Sequence, residues 1–280
     1  GQVREQIEDF SAGGNMLSPD QFTYEAGVLD SERDFILLDN DPRTTPRGLV
    51  KNIQTSYGLT RWATVFGNYT ETPDADKNRE YLTVGGVFNT PAGLVEAEAY
   101  NELGGGNALS LGMVTGFKGI RSNLGVAFFN DFESEDSGFG TNRKTFEADA
   151  QVNTKVNIAS VPIGLIFQST HTERVAIDPL TTLNTSQTFS SGPVRLSHNT
   201  TTRLSDYQHQ SSTAGFTTTV RDDPWQLRGN LNYTIHPIFD ISTINSELRY
   251  KPKDVKYQAA INAGHNFTND TYNAGLQGGY

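Results

Sequence analysis

Few residues of this chain have the type and spacing to do chemistry. His209-Gln210-Ser211 is the tightest pairing of a base with a hydroxyl. Residues two apart on an extended strand share a face, so an H-x-S spacing would let a histidine activate a serine. Only two residues carry that pattern, and exposed polar side chains on a strand account for it, so the chain is expected not to be an enzyme. In Ser197-His198-Asn199 the neighbours point to opposite faces. His171, His198, His236 and His265 show no zinc-ligand spacing, and cysteine is absent. The acid runs Asp39-Asn40-Asp41 and Glu133–Asp136 lack the alternating ligands and glycine of a calcium loop, and are expected to be solvated loop charge. No cofactor or metal is expected. Two carboxylate pairs remain, Glu96/Glu98 and Glu147/Asp149, each at i, i+2. In an enzyme such pairs divide acid and base roles; on a channel wall they set charge selectivity.

The elements that carry these pairs favour the channel wall. Helical periodicity is nearly absent and period-two alternation dominates. In TFEADAQVN, Phe146, Ala148, Ala150 and Val152 oppose Glu147, Asp149, Gln151 and Asn153. LVEAEAY sets Val95, Ala97 and Ala99 against Glu96 and Glu98. QLRGNLNYTI sets Leu227, Leu231, Tyr233 and Ile235 against Arg228, Asn230 and Asn232, and SELRY sets Leu248 and Tyr250 against Glu247 and Arg249. Several runs reach about 9–11 residues, the length that crosses a bilayer at a tilt. The expected lining of a polar lumen is therefore Glu96, Glu98, Glu147, Asp149, Gln151, Asn153, Arg228, Asn230, Asn232, Glu247 and Arg249. Tyr57, Trp62, Trp225 and Tyr250 are expected in an interfacial aromatic girdle.

Connections support the same architecture. Short ones (Gly58–Arg61, NTPAG, KGIRSN, IASVP) alternate with longer ones (ETPDADKNRE, NELGGGN, NDFESEDSGFGTNRK, TERVAIDPLTTLNTSQ) up to Gln187, after which the alternation fades. Outer-membrane barrels show this asymmetry, which puts the acidic loops Glu71–Glu80 and Asp131–Asp136 outside the cell. Residues 1–48 are less regular, and no domain boundary is evident over 1–280. The expected fold is all-β, an antiparallel up-and-down transmembrane β-barrel of the outer-membrane type, with roughly 14–18 strands.

Composition sets the remaining bounds. The 280 residues are 35% hydrophobic, yet include 27 Gly, 16 Phe and 11 Tyr. Mean hydropathy is −0.49. No stretch is long and apolar enough for a transmembrane helix, and alternating barrel strands escape a hydropathy window. A net charge of −10 without a basic cluster argues against nucleic acid as a partner. Without disulfides, the chain must be held by its core or by sheet closure. The chain begins at Gly1 with no leader, as expected of a mature form or a piece of something longer.

Two segments resemble the outer-membrane ushers of the chaperone–usher pilus pathway. In VREQIEDFSAGGNMLSPDQFTYEAGVLD, Val3 to Asp30, the matching positions are Phe10, Met16, Leu17, Pro19, Phe22, Tyr24, Ala26 and Gly27. In TSYGLTRWATVFGNYTE and the following NREYLTVGGVFNTPAGLVEAEAY they are Tyr57, Gly58, Leu59, Thr64, Phe66, Gly67, Tyr81 and Gly85. The resemblance covers roughly the first 120 residues. It implies an outer-membrane barrel that secretes folded subunits handed over by a periplasmic chaperone, in contact with membrane lipid and lipopolysaccharide. The sequence departs from ushers in being too short for the full barrel and in having no insert long enough for a gating plug. That implies a portion of an usher-like protein or a smaller relative. The alternatives are a porin-like diffusion channel and a soluble or surface-displayed β-rich adhesin.

Overall fold

A computed structural model describes residues 16–30, 49–73, 78–134, 137–158, 161–253 and 257–279. Sixteen strands follow one another in sequence order, each antiparallel pair formed by sequence neighbours. They are β1 (Phe22–Asp30), β2 (Leu49–Thr60), β3 (Ala63–Thr72), β4 (Arg79–Thr90), β5 (Gly93–Glu102), β6 (Asn107–Phe117), β7 (Ile120–Asn130) and β8 (Lys144–Ile158). Then come β9 (Val161–Arg174), β10 (Leu180–Ser191), β11 (Val194–Ser205), β12 (Gln208–Asp222), β13 (Trp225–His236), β14 (Asp240–Tyr250), β15 (Gln258–Asn266) and β16 (Thr271–Gly279). Among the described residues the helical content is one 3-10 turn, Gly140–Asn142, and no helix could cross a membrane. The fold class and strand number agree with expectation.

The chain forms two compact units, Gly1–Leu111 with Phe129–Asp136, and Gly112–Phe128 with Ser137–Tyr280. The division falls inside β6 and β7 rather than at a linker. Within the leading segment, expected to be less regular, Phe22–Asp30 pairs along its whole length with β2. Phe10 and Asp39-Asn40-Asp41 lie outside the described residues.

Several expected connections shift. Gly58 belongs to β2, and the β2–β3 turn is Arg61–Trp62, whose Trp62 carbonyl accepts from the Asn89 N–H at 2.8 Å. Most of TERVAIDPLTTLNTSQ, expected as a long loop, is strand: β9 runs to Arg174 and β10 starts at Leu180. Its threonines suit a strand paired on both sides. Past Gln187 the alternation fades, as expected. Before that point β2, β4, β6 and β8 are each separated from the next strand by two residues. Odd-numbered β5, β7 and β9 are followed by longer connections at 103–106, 131–143 and 175–179, whereas later connections at 192–193, 206–207, 223–224, 237–239 and 267–270 no longer alternate and seven residues separate β14 from β15.

In the first unit, two glycines permit close packing. A Cβ on Gly58 would meet the Ser18 carbonyl oxygen at 2.1 Å. Its absence lets the segment before β1 lie on β2, with Asp20 N–H donating to the Gly58 oxygen at 2.8 Å and Gly58 N–H to the Gln21 oxygen at 2.9 Å. Gly85 takes the Phe66 ring, whose Cζ would be 2.6 Å from an added Cβ. Phe66 is thereby 6% exposed.

Candidate functional site

Register decides which side chains share a face, because a one-residue slip would reverse every one. In the second unit, one face reads as polar rows across neighbouring strands. Gln151 lies opposite Gln168, then Asn184, Thr201, Thr213 and Thr234. Asp149 lies opposite Thr170, Thr182, Arg203 and Ser211. Thr219, Arg228, Glu247 and Asn262 form another row, and Thr217, Asn230 and Asn245 a third. Side-chain hydrogen bonds knit the rows: Thr201 Oγ1 donates to Asn184 Oδ1 at 2.8 Å, and Asn232 Nδ2 to Thr243 Oγ1 at 2.8 Å. The opposite face carries exposed Phe216, Leu227, Ile244, Leu248 and Ile261, the last 58% exposed.

All nine second-unit residues expected on the polar face lie on it. Glu147, Asp149, Gln151 and Asn153 come from β8, and Arg228, Asn230 and Asn232 from β13, opposite Glu247, Asn245 and Thr243 of β14. Lys144 Nζ donates to Glu147 Oε2 at 2.9 Å. Glu247 Oε1 lies 3.2 Å from Arg249 Nη2.

The first unit repeats the two-faced pattern. Glu96 and Glu98 lie opposite Val87 and Gly85 on the face that also holds Thr64 and Phe66. Tyr100 donates its hydroxyl proton to Glu98 Oε2, and Glu98 is 7% exposed. Glu96 Oε1 is buried with no hydrogen-bond partner among the described residues. The other face exposes Tyr24, Val28, Ile53 and Val84.

Glu133, expected as solvated loop charge, is instead pinned to β4 and β5. Arg79 Nη1 reaches Glu133 Oε2 at 3.0 Å and Glu102 Oε1 at 2.7 Å. Tyr81 donates its hydroxyl proton to the Glu133 carbonyl at 2.9 Å. Phe132 beside it is buried against Tyr81, Tyr100 and Phe129. Hydrophobic Phe132, flanked by acids, was the available signal, since an exposed loop has no use for it. Glu135 and Asp136 lie outside the described residues.

The expected shared face of His209 and Ser211 is overturned. Arg203 pairs with Ser211 and Leu204 with His209, so Gln210 is an extra bulged residue. A bulge reverses parity, and the two side chains leave opposite faces. His209 Nε2 instead meets Ser212 Oγ at 2.7 Å and stacks on His236 with ring centroids 3.9 Å apart. Among the described residues no three His, Cys, Asp or Glu side chains are grouped to hold a metal.

Trp225 and Tyr250 pair across β13–β14 with ring centroids 4.7 Å apart, at strand ends and on the apolar face. At the other end of the second unit's strands, Phe239 lies against Tyr233, Tyr272 stacks on His265, and Phe267 is tilted against the same ring. Trp62 sits in the β2–β3 turn, and Tyr57 donates its hydroxyl proton to Asp20 Oδ1 at 2.8 Å.

No family model and no curated protein matches the chain. The solved structure of the P pilus usher (PapC) translocation pore is similar, with a TM-score of 0.59 and 13% identity. The match covers 94% of this chain and 55% of that one, so this chain spans little more than half the length of that pore. At this identity the likeness speaks to fold alone. Together with sixteen antiparallel strands in sequence order, it establishes an all-β, up-and-down antiparallel fold of the β-barrel type.

Proposed function

We propose that this chain forms the wall of an outer-membrane pore. The observation that carries the proposal is the separation of faces: unbroken polar rows such as Gln151–Gln168–Asn184–Thr201–Thr213–Thr234 back onto exposed Phe216, Leu227 and Ile244. Backbone groups in lipid must all be paired, which strand-to-strand bonding in a closed sheet achieves. On β13, Trp225 and His236 are eleven residues apart. At about 3.3 Å per residue that is about 36 Å of strand. A tilt of about 40° reduces it to about 28 Å, close to the apolar band of an outer-membrane barrel at about 25 Å. The polar rows then line the lumen, and the apolar face meets lipid and lipopolysaccharide.

The fold likeness and the segment matches from Phe10 to Gly85 favour an usher-like role, the passage of chaperone-delivered protein subunits to the cell surface. This role involves no enzymatic step, cofactor or nucleic acid. A porin-like diffusion channel is the second reading, favoured by the carboxylates and arginines of the polar face, which suit ion selection. Two measurements test the membrane reading. The purified protein should partition into detergent and change gel mobility on heating. Reconstituted in planar bilayers, it should give discrete conductance steps. A protein that stays soluble without detergent and shows no steps refutes it.

A further inference from the structure

The chain carries a net charge of −10, yet one part of the second unit's polar face is strongly basic. Arg195 lies opposite Thr219, which lies opposite Arg228. In the adjacent row Arg221 lies opposite Gln226, which lies opposite Arg249. Register thus sets four guanidiniums on one face of β11–β14. Glu247 is the carboxylate in these two rows, and Arg249 takes it at 3.2 Å. Nearby Asp223 is engaged by Lys253 at 2.5 Å.

Arg228 stands opposite Glu247 in register, but that carboxylate pairs with Arg249, and Arg195 and Arg221 have no carboxylate in either row. Among the described residues Arg195 has no ion-pair partner and is exposed, as are Arg221 and Arg228. Gln226 sits between two of them. With its amide turned so that the oxygen faces them, it accepts from Arg221 Nε at 3.2 Å and from Arg228 Nε at 3.0 Å. A cavity of about 380 Å³ opens beside Arg195 and Arg221, with Ser190, Ser197, Thr217 and Thr219 among its lining residues. Hydroxyls can donate to an anion as readily as guanidiniums do.

We propose that this arginine cluster is a binding site for a small polyanion bearing phosphate or carboxylate groups. Neighbouring strands are about 4.8 Å apart, so Arg195 and Arg228 stand about 10 Å apart at their backbones and can converge on one ligand. Guanidinium forks match the paired oxygens of phosphate and carboxylate, an arrangement a point charge such as lysine does not supply. Three like charges held this close by the sheet repel one another, and a polyanion relieves that repulsion.

The site depends on register within one unit and not on conduction, so its failure is distinct from failure of the pore reading. The test is calorimetric titration of the full chain in neutral detergent with inorganic pyrophosphate, in a phosphate-free buffer, repeated with citrate. One equivalent of each should bind. Arg195→Gln with Arg228→Gln should weaken both by about tenfold or more, the scale of losing charge-assisted hydrogen bonds. Lys155→Gln, a cation on β8 outside the cluster, should leave affinity unchanged. Circular dichroism and the heat-dependent gel shift verify that the variants fold. No binding by the unaltered chain at millimolar ligand overturns the site. So does equal binding by the double variant, or an equal loss in Lys155→Gln, which marks diffuse attraction.

Discussion

Leu231 offers the most direct test of which face meets lipid. It lies on the apolar face of β13, between Phe216 of β12 and Ile244 of β14. It is six residues from Trp225 and five from His236. In the proposed pore, at about 3.3 Å per residue and a tilt of about 40°, it would sit about 15 Å and 13 Å from the two rims, near the bilayer midplane. Leu231→Arg would place a guanidinium in hydrocarbon, at a cost of about 2–4 kcal/mol for a midplane position. With about 1.36 kcal/mol per tenfold, the folding equilibrium should drop about 30- to 900-fold. Asn230→Arg is one residue away but faces the row Thr217–Asn230–Asn245, where water solvates the charge. Its effect should stay within about 0.5 kcal/mol. The assay is urea-dependent folding into lipid vesicles, followed by the heat-dependent gel shift and tryptophan fluorescence. Equal costs for the two substitutions, or a larger cost for Asn230→Arg, would refute both the face assignment and the membrane reading built on it.

Three further outcomes are expected. Replacing Glu147 and Asp149 with Lys should shift ion selectivity toward anions, and unchanged reversal potentials in planar bilayers would count against their lumen position. Gly85→Ala should destabilise the fold by about 1–3 kcal/mol, since its methyl displaces the Phe66 ring. Gly67→Ala, whose Cβ would have nothing closer than 3.8 Å, is its control in urea titrations, and equal midpoints for the two would disprove the packing. The chain has two tryptophans, so Trp62→Phe leaves Trp225 as the sole reporter. Lipids brominated near the headgroup should quench it more than lipids brominated at the chain ends, and the reverse order would remove Trp225 from the interface.

Much of this protein was determined by local alternation. TFEADAQVN and SELRY already separate two faces, because strand side chains alternate whatever the partner strand. Strand number followed from length and rhythm, and the polar residues of β8, β13 and β14 followed from parity. Parity stops being informative where the backbone departs from period two. The bulge at Gln210 sends His209 and Ser211 to opposite faces, and that departure depends on how β12 pairs with β11. Polar, threonine-rich β10 reads as loop in isolation and becomes strand because β9 and β11 satisfy its backbone on both sides. Aromatics fall on both parities of the β3 segment, Phe66 on one and Tyr69 on the other, and the space for the Phe66 ring comes from Gly85 of the next strand. Arg195 lies a hairpin away from Arg221 and Arg228, and the Phe132–Glu133 segment lies well beyond Arg79 in sequence. Register and folding bring each set together, so these were decided by tertiary structure alone, while face and strand character were written in the sequence.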